Sequence, residues 1–296
     1  MARAEVFAAL QASIRRIERT SAGSALAARG RSVPWPAMPG PVALRGSDDV
    51  QGARWSLGAP EVDCLTGGLD ASGLHEIKPA VPGPEMPAAL GRAAAFTFAL
   101  RLAARRLASD ARNKAGAGQR ACVLFCVPER DRLELGRLYG PGLAAFGLEA
   151  RQFLIVETAR AADTLWAMEE GLRSEVPAIV IGCLEDLPLT PARRLSLAAG
   201  QHSTPCIALT GARTPSAGAT ATRWRIGPAP TGSNSFDAKS PGSPACVAAL
   251  ERCRHRVGAG DLEPFTLEWC DETFRFRLAA AMADREIAAR QAGTGA

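Results

Sequence analysis

Histidine, tyrosine and long apolar runs are scarce in this chain of 296 residues, which contains three His and one Tyr. The histidines, His75, His202 and His255, stand far apart, so they assemble no Cys/His spacing for a zinc site. No stretch of about 18 uncharged apolar residues is present, which argues against a membrane span. The opening residues also lack the continuous hydrophobic segment of a secretory signal. Eight Cys in such a chain predict buried thiols, so we expect a soluble protein of the reducing cytoplasm.

The overall composition is that of a globular chain, with 47% hydrophobic residues and enough apolar side chains for a sizeable core. Its length suits one large α/β domain or two small ones, at about 100–200 residues per domain. A net charge of +5 is mildly basic, and it permits a nucleic-acid or acidic-protein partner without arguing for one.

The amino-terminal residues 1–22 have the spacing of an amphipathic helix, with arginines between the apolar positions. The apolar stripe consists of Phe7, Leu10, Ile14 and Ile17. Residues 23–54 form a Pro/Gly-rich linker that cannot continue this helix. Two interpretations stay open: the helix packs on its own domain, or it makes a contact with a partner protein.

From residue 55 to 278, short continuous apolar strands alternate with helical patterns. Such alternation is typical of βα units, and it predicts a mostly parallel central sheet flanked by helices. Two late strands, at 247–254 and 264–269, predict a β-hairpin at the end of this core. Residues 228–244 are rich in Pro, Gly and Ser and indicate a flexible loop, while 279–296 form a weakly patterned tail.

A strand at 74–77, a Gly/Pro loop and a long helix stand where a phosphate-binding loop would lie. Such a loop needs the pattern G-x-x-x-x-G-K-[ST], whose glycines, lysine and hydroxyl hold phosphate and Mg²⁺. Counted from the first glycine, the second glycine, the lysine and the hydroxyl are all replaced, and Pro87 removes an amide donor. The residues of this degenerate loop are Gly83, Glu85, Ala88, Ala89 and Leu90. We therefore expect no ATP hydrolysis, no cofactor and no enzyme activity.

Segments on both sides of this loop resemble RecA. Leu65–Leu69, Gly73–Ile77 and Gly83–Glu85 are similar to the first part of the RecA core, and Val247–Trp269 resembles its last hairpin. The resemblance implies a RecA-like fold. It also implies that the basic residues of the hairpin lie where those of RecA reach a neighbouring subunit's nucleotide.

Four further segments are similar to the ImuA family of RecA-like, SulA-like accessory proteins. These segments are Leu138–Leu148, Leu165–Ser174, Leu189–Ala199 and Ala219–Arg225. Together with the RecA-like segments they cover roughly residues 55–275. This resemblance implies a role in the SOS response, in translesion DNA synthesis. The implied partners are ImuB, an inactive Y-family polymerase homologue, an error-prone C-family DNA polymerase reached indirectly, and RecA.

The carboxylates needed for ATP chemistry are poorly placed in the sequence. Glu129 follows the second strand of the core, where RecA has its catalytic carboxylate, but no phosphate loop stands beside it. Gly182 occupies the strand end that would carry the Mg²⁺-binding Asp. Glu185 and Asp186 lie just beyond, and they either replace that Asp or belong to a solvated turn.

Six arginines are candidate contacts for nucleic acid or for an interface: Arg213, Arg223, Arg225, Arg252, Arg254 and Arg256. The loop at 211–220 either contacts DNA or is a flexible connector, since it contains one basic residue and no aromatic to stack on a base. The arginines of the hairpin either contact phosphates or protect a strand from aggregation.

Two other functions compete with the accessory role. A SulA-like inhibitor of cell division would also need no phosphate loop. A divergent RecA-type ATPase would use Glu185 or Asp186 for the metal. The sequence favours the non-catalytic accessory protein over both.

Overall fold

The computed structural model describes six stretches of the chain: 54–84, 86–113, 121–215, 218–232, 240–256 and 258–279. The predicted amphipathic helix with Phe7, Leu10, Ile14 and Ile17 lies outside the described residues. Glu85 and residues 280–296 also lie outside them.

The described chain alternates between helices and strands. The helices are α1 (Pro60–Thr66), α2 (Ala88–Asn113), α3 (Glu129–Leu135), α4 (Gly140–Ala144), α5 (Ala161–Arg173) and α6 (Leu189–His202). The strands are β1 (Arg54–Trp55), β2 (Leu69–Asp70), β3 (Leu74–Pro79), β4 (Val123–Pro128), β5 (Phe153–Thr158), β6 (Ile179–Cys183), β7 (Cys206–Leu209), β8 (Thr222–Pro228), β9 (Ala245–Cys253), β10 (Phe265–Cys270) and β11 (Arg275–Leu278). Among these helices none is long and apolar enough to cross a membrane.

A nine-stranded sheet organises the fold, in the order β11-β10-β9-β8-β3-β7-β6-β4-β5. The strands from β8 to β5 are parallel to one another, whereas β9, β10 and β11 continue the sheet in antiparallel fashion. The predicted α/β class, with a mostly parallel sheet and a terminal hairpin, is confirmed. All five residues of β6 are buried, as expected of a strand that is covered on both faces.

Helix α2 covers one face of the sheet and α5 and α6 the other. On the α2 face, the Phe98 ring lies 6.0 Å from that of Trp224 and 5.1 Å from that of Phe276. On the other face, Gly182 lets α5 approach closely, because a Cβ there would lie 2.1 Å from the sulfur of Met168. Side chains alternate along a strand, so Glu76 and Arg223 point away from α2.

Buried arginines tie α2 to the loops around it. The Arg105 side chain donates to the carbonyl oxygens of Ser56 at 3.1 Å and of Phe274 at 3.4 Å. Arg106 donates to the carbonyl oxygen of Ala178 at 3.3 Å. These bonds join the start and the end of the described core to its longest helix.

Candidate functional site

The segment between β3 and α2 closes on itself in a tight turn. The amide of Gly83 donates to the carbonyl of Met86, and the amide of Met86 donates to the carbonyl of Gly83, each at 3.2 Å. Pro82, Pro84 and Pro87 have no amide hydrogen to offer. A Cβ on Gly83 would meet no atom within 4 Å, so this glycine is not required by any close approach. Among the described residues of this segment, two amides are therefore engaged and three prolines offer none, which reduces the donors available for a cradle that binds phosphate.

The first turn of α2 presents small and apolar side chains at this point. Ala88, Ala89 and Leu90 are all exposed, at the positions of the second glycine, the lysine and the hydroxyl. The basic residue of β3, Lys78, is buried and donates to the carbonyl oxygen of Thr214. It lies on the sheet face opposite α2, since its side chain alternates with that of Ile77. Lys78 is therefore not placed to replace the lysine that is missing at Ala89.

A cavity of about 240 Å³ lies beside the turn, at the carboxyl ends of β3, β6 and β7. Its charged groups are neutralised within the chain. The Arg92 guanidinium lies 3.1 Å from an oxygen of Asp131 and 2.6 Å from one of Glu134. Arg130 pairs with Glu185 at 3.2 Å. The four charged residues that line this cavity therefore all have ionic partners within the described chain.

The carboxylates predicted for metal or water chemistry do not converge. Glu129 is exposed and lies 3.9 Å from Arg132, and Asp186 is exposed as well. Gly182 faces α5, so it is Cys183 that lines the cavity. Burial raises the pKa of the Cys183 thiol to about 12, which keeps it neutral. In the described part of the chain, no three His, Cys, Asp or Glu side chains are grouped so as to hold a metal ion.

Two of the six candidate arginines have structural partners on the sheet. Arg223 is buried and forms an ion pair with Glu76, with 2.7 Å between Nε and Oε2. Arg225 pairs with Glu251 and donates to the carbonyl oxygens of Pro79 at 3.2 Å and of Ala212 at 3.0 Å. Together with the bond from Lys78, the Arg225 contact fastens the start of the 211–220 loop to the sheet.

The other four arginines lie at opposite ends of the sheet. Arg213 is exposed in the loop that follows β7, at the carboxyl edge of the parallel strands. Arg252, Arg254 and Arg256 lie at the end of β9, which is beside the amino end of β8. Arg254 donates to the carbonyl of Ala219 at 3.2 Å. Arg256 donates to that of Leu65 at 3.0 Å. The structure thus brings three of them together and leaves Arg213 apart.

A larger cavity of about 490 Å³, which we call the β5 groove, lies next to strand β5. The groove has a largely apolar floor on β4 and β5, one wall on α2 and another on the segment 132–138. The residues that line it are Ala93, Phe96, Thr97, Phe125, Val127, Asp131, Arg132, Gly136, Arg137, Leu138, Ile155 and Glu157. It shares Phe96 and Asp131 with the smaller cavity, so the two are neighbours.

The β5 groove was not predicted from the sequence. Its residues come from three separate segments, and only the strand order brings them together. Ile155 marks the groove most clearly, because this apolar strand residue is 44% exposed. Leu133 and Tyr139, in and just beyond the 132–138 wall, are also exposed, at 70% and 73%.

The strand order, the helices on both faces and the antiparallel strands that extend the sheet define an α/β protein of the RecA-like fold class. A scan against protein-family models found no match. The chain is 32% identical over 251 residues to Protein ImuA of Caulobacter vibrioides strain NA1000, an alignment that covers 80% of this chain and 93% of that protein. Protein ImuA of the strain ATCC 19089 shows the same identity and coverage. The chain belongs to the ImuA family.

Proposed function

We propose that this chain is a non-catalytic, RecA-like accessory and scaffold protein in SOS-induced mutagenic translesion DNA synthesis. It binds ImuB, and RecA as a second partner, and it reaches the error-prone C-family polymerase only indirectly. Family membership supports the pathway. The closed turn between Gly83 and Met86 is the observation that supports assembly without nucleotide turnover.

The physical argument against turnover does not depend on one missing side chain. Phosphoryl transfer needs positioned charge on the transferred phosphate and on its metal. Here the backbone amides of Gly83 and Met86 each donate to the carbonyl oxygen of the other residue, and Arg92 is held by two carboxylates. Such a RecA-like core can still bind other proteins through its surface. It lacks the charged groups with which ATP hydrolysis would drive cycles of partner binding and release.

The function is tested by the frequency of mitomycin-induced mutation in a deletion strain, with cell length scored in the same cultures. We expect loss of induced mutation with normal filamentation, and recovery when the gene is restored. Unchanged induced mutation with lost filamentation would contradict the proposal and favour a SulA-like division inhibitor.

The amino-terminal helix predicted from the sequence supplies one protein contact in this scheme. Asp at Phe7, Leu10, Ile14 and Ile17 should abolish a complex that this stripe makes, because charges would replace its apolar contacts. Helical spacing places Ala9 and Ala12 on the opposite side, so Asp at these two positions is the matched control. Complexes that survive the four substitutions intact would show that the helix makes no such contact.

A further inference from the structure

A basic surface lies at the amino end of β8, where the chain turns after β9. The Arg254 guanidinium donates to the carbonyl oxygen of Ala219 at 3.2 Å and lies 3.5 Å from the hydroxyl of Ser196 on α6. Arg256 donates to the carbonyl oxygen of Leu65, near the end of α1, at 3.0 Å. These contacts join the turn to α6 and α1, and we call the resulting area the arginine surface. Its residues are Leu65, Arg193, Leu197, Arg252, Arg254 and Arg256.

The four arginines of this surface lack acidic partners in the described chain. Arg193 and Arg254 are exposed, whereas Arg252 and Arg256 are half-buried and have buried Nε atoms that donate to no described residue. Asp70 lies beside the turn, but its carboxylate approaches the imidazole that follows Arg254, at 3.8 Å. None of the four arginines forms an ion pair with a described carboxylate. Their positive charge is therefore uncompensated within this part of the chain.

Neighbouring arginines are neutralised, which distinguishes them from the arginine surface. Arg194, next to Arg193 on α6, pairs with Glu169 on α5 at 2.5 Å. Arg223 on β8 pairs with Glu76 at 2.7 Å. A group of four guanidiniums without such partners attracts negative charge and steers an acidic ligand to this end of the sheet.

Two exposed leucines border the arginines. Leu197 lies one turn after Arg193 on α6 and is 64% exposed. Leu65 is 38% exposed, and its carbonyl oxygen accepts the bond from Arg256. A strand of nucleic acid would gain little from aliphatic side chains, and none of the residues of the arginine surface is an aromatic on which a base could stack. A ligand that combines carboxylates with apolar side chains matches the surface better.

We propose that the arginine surface is the docking site for an acidic amphipathic segment of a partner protein. Carboxylates of the segment pair with the four guanidiniums, and its apolar side chains cover the two leucines. The charged pairs fix the orientation of the segment, and the leucines add apolar area that is removed from water. The inference deepens the proposed scaffold role and rests on it, because a scaffold needs a surface through which it holds a partner.

The test uses random dodecapeptides displayed on phage, selected on the purified full chain. We expect an enriched pattern that combines several acidic residues with bulky apolar residues. A synthetic fluorescent peptide of that pattern should bind about tenfold more weakly to Arg193→Glu and to Arg254→Glu, because repulsion replaces attraction. Arg213→Glu is the matched control, since Arg213 is also an exposed arginine but lies at the opposite end of the sheet. This control should bind the peptide as the wild-type chain does.

Two further arms separate the charged contacts from the apolar ones. Leu197→Ser should weaken binding about fivefold and leave its salt dependence unchanged, because it removes apolar area and no charge. A peptide with Lys in place of its acids should recover part of the binding lost by Arg254→Glu. Arg193→Glu keeps the test decisive if Arg254→Glu, which loses the bond to Ala219, fails to fold. Thermal unfolding curves of both variants would show this.

Four results would overturn the inference. The first two are the absence of an enriched acidic pattern and equal binding of the selected peptide to the wild-type chain and to both charge-reversal variants. The third is a fluorescent oligothymidylate that binds the wild-type chain more tightly than the peptide does and loses this binding in Arg254→Glu, which would assign the surface to nucleic acid. The fourth is a concentration-dependent dimer that Arg193→Glu dissociates, which would assign it to a second copy of the chain. Each leaves the mutation frequency of the deletion strain unaffected as a test, so failure of this inference and failure of the proposed function remain distinguishable.

Discussion

Breaking the buried ion pair between Glu76 and Arg223 should lower the free energy of unfolding strongly. Glu76 is fully buried in β3, and its carboxylate accepts hydrogen bonds from Arg223 Nε at 2.7 Å and from the Thr210 hydroxyl at 3.0 Å. Arg223→Met removes the guanidinium and leaves a buried carboxylate with one of its two hydrogen bonds. Breaking a buried pair in this way costs about 3–5 kcal/mol of unfolding free energy. Because typical domains have about 5–15 kcal/mol, this loss would remove between about a fifth and all of the stability.

The double variant Glu76→Leu/Arg223→Met separates the pair's net contribution from the penalty of an unpaired charge. Apolar replacement of both partners is often neutral or stabilising, so we expect the double variant to lie within about 1 kcal/mol of the wild type. Urea unfolding followed by tryptophan fluorescence measures both values. A loss below about 1 kcal/mol for Arg223→Met, or a double variant as unstable as the single one, would refute the reasoning. It would also reopen a binding role for Arg223.

Three other predictions follow from the core and the turn. Burial lowers the pKa of His75 to about 4, whereas the pKa of this residue in the unfolded chain is the ordinary 6.5. The unfolded chain therefore takes up a proton first as the pH falls, and the free energy of unfolding should decrease by about 3 kcal/mol from pH 6.5 to 4. His75→Leu should lack this component of the slope in urea titrations, and an unchanged slope would contradict it. The graft Ala88→Gly/Ala89→Lys/Leu90→Thr should bind no fluorescent ATP analogue, because the turn stays closed; Mg²⁺-dependent binding would show that only side chains were missing. Gly182→Ala should cost about 1–3 kcal/mol by overpacking against α5, whereas an unchanged melting temperature would show that α5 yields.

The sequence was sufficient for the architecture because apolar strands alternate with helices along most of the core. The continuous apolar residues of β4 and β6 predict strands covered on both faces, and both strands lie in the centre of the parallel sheet. The degenerate loop could be predicted as well, since its missing groups are visible as Ala88, Ala89 and Leu90. The closed turn could not, because it depends on how Gly83 and Met86 pair.

Local patterns could not predict which polar groups are buried or which strand forms an edge. Arg105 and Arg106 on α2 are buried and donate hydrogen bonds to carbonyl oxygens that are distant in sequence, such as that of Phe274. Helical spacing carries no information about the loops that supply these carbonyls. Gly182 was expected at the Mg²⁺ position, but alternation along β6 turns it to α5 and leaves Cys183 in the cavity. The edge position of β5, and with it the groove, follows only from the strand order.

Sedimentation of the purified chain mixed with ImuB, in buffer with EDTA and without nucleotide, tests assembly without turnover most directly. We predict a complex under these conditions and the same sedimentation coefficient after addition of Mg²⁺ and ATP. A complex that forms only with Mg²⁺ and ATP, or no complex in either buffer, would contradict the account.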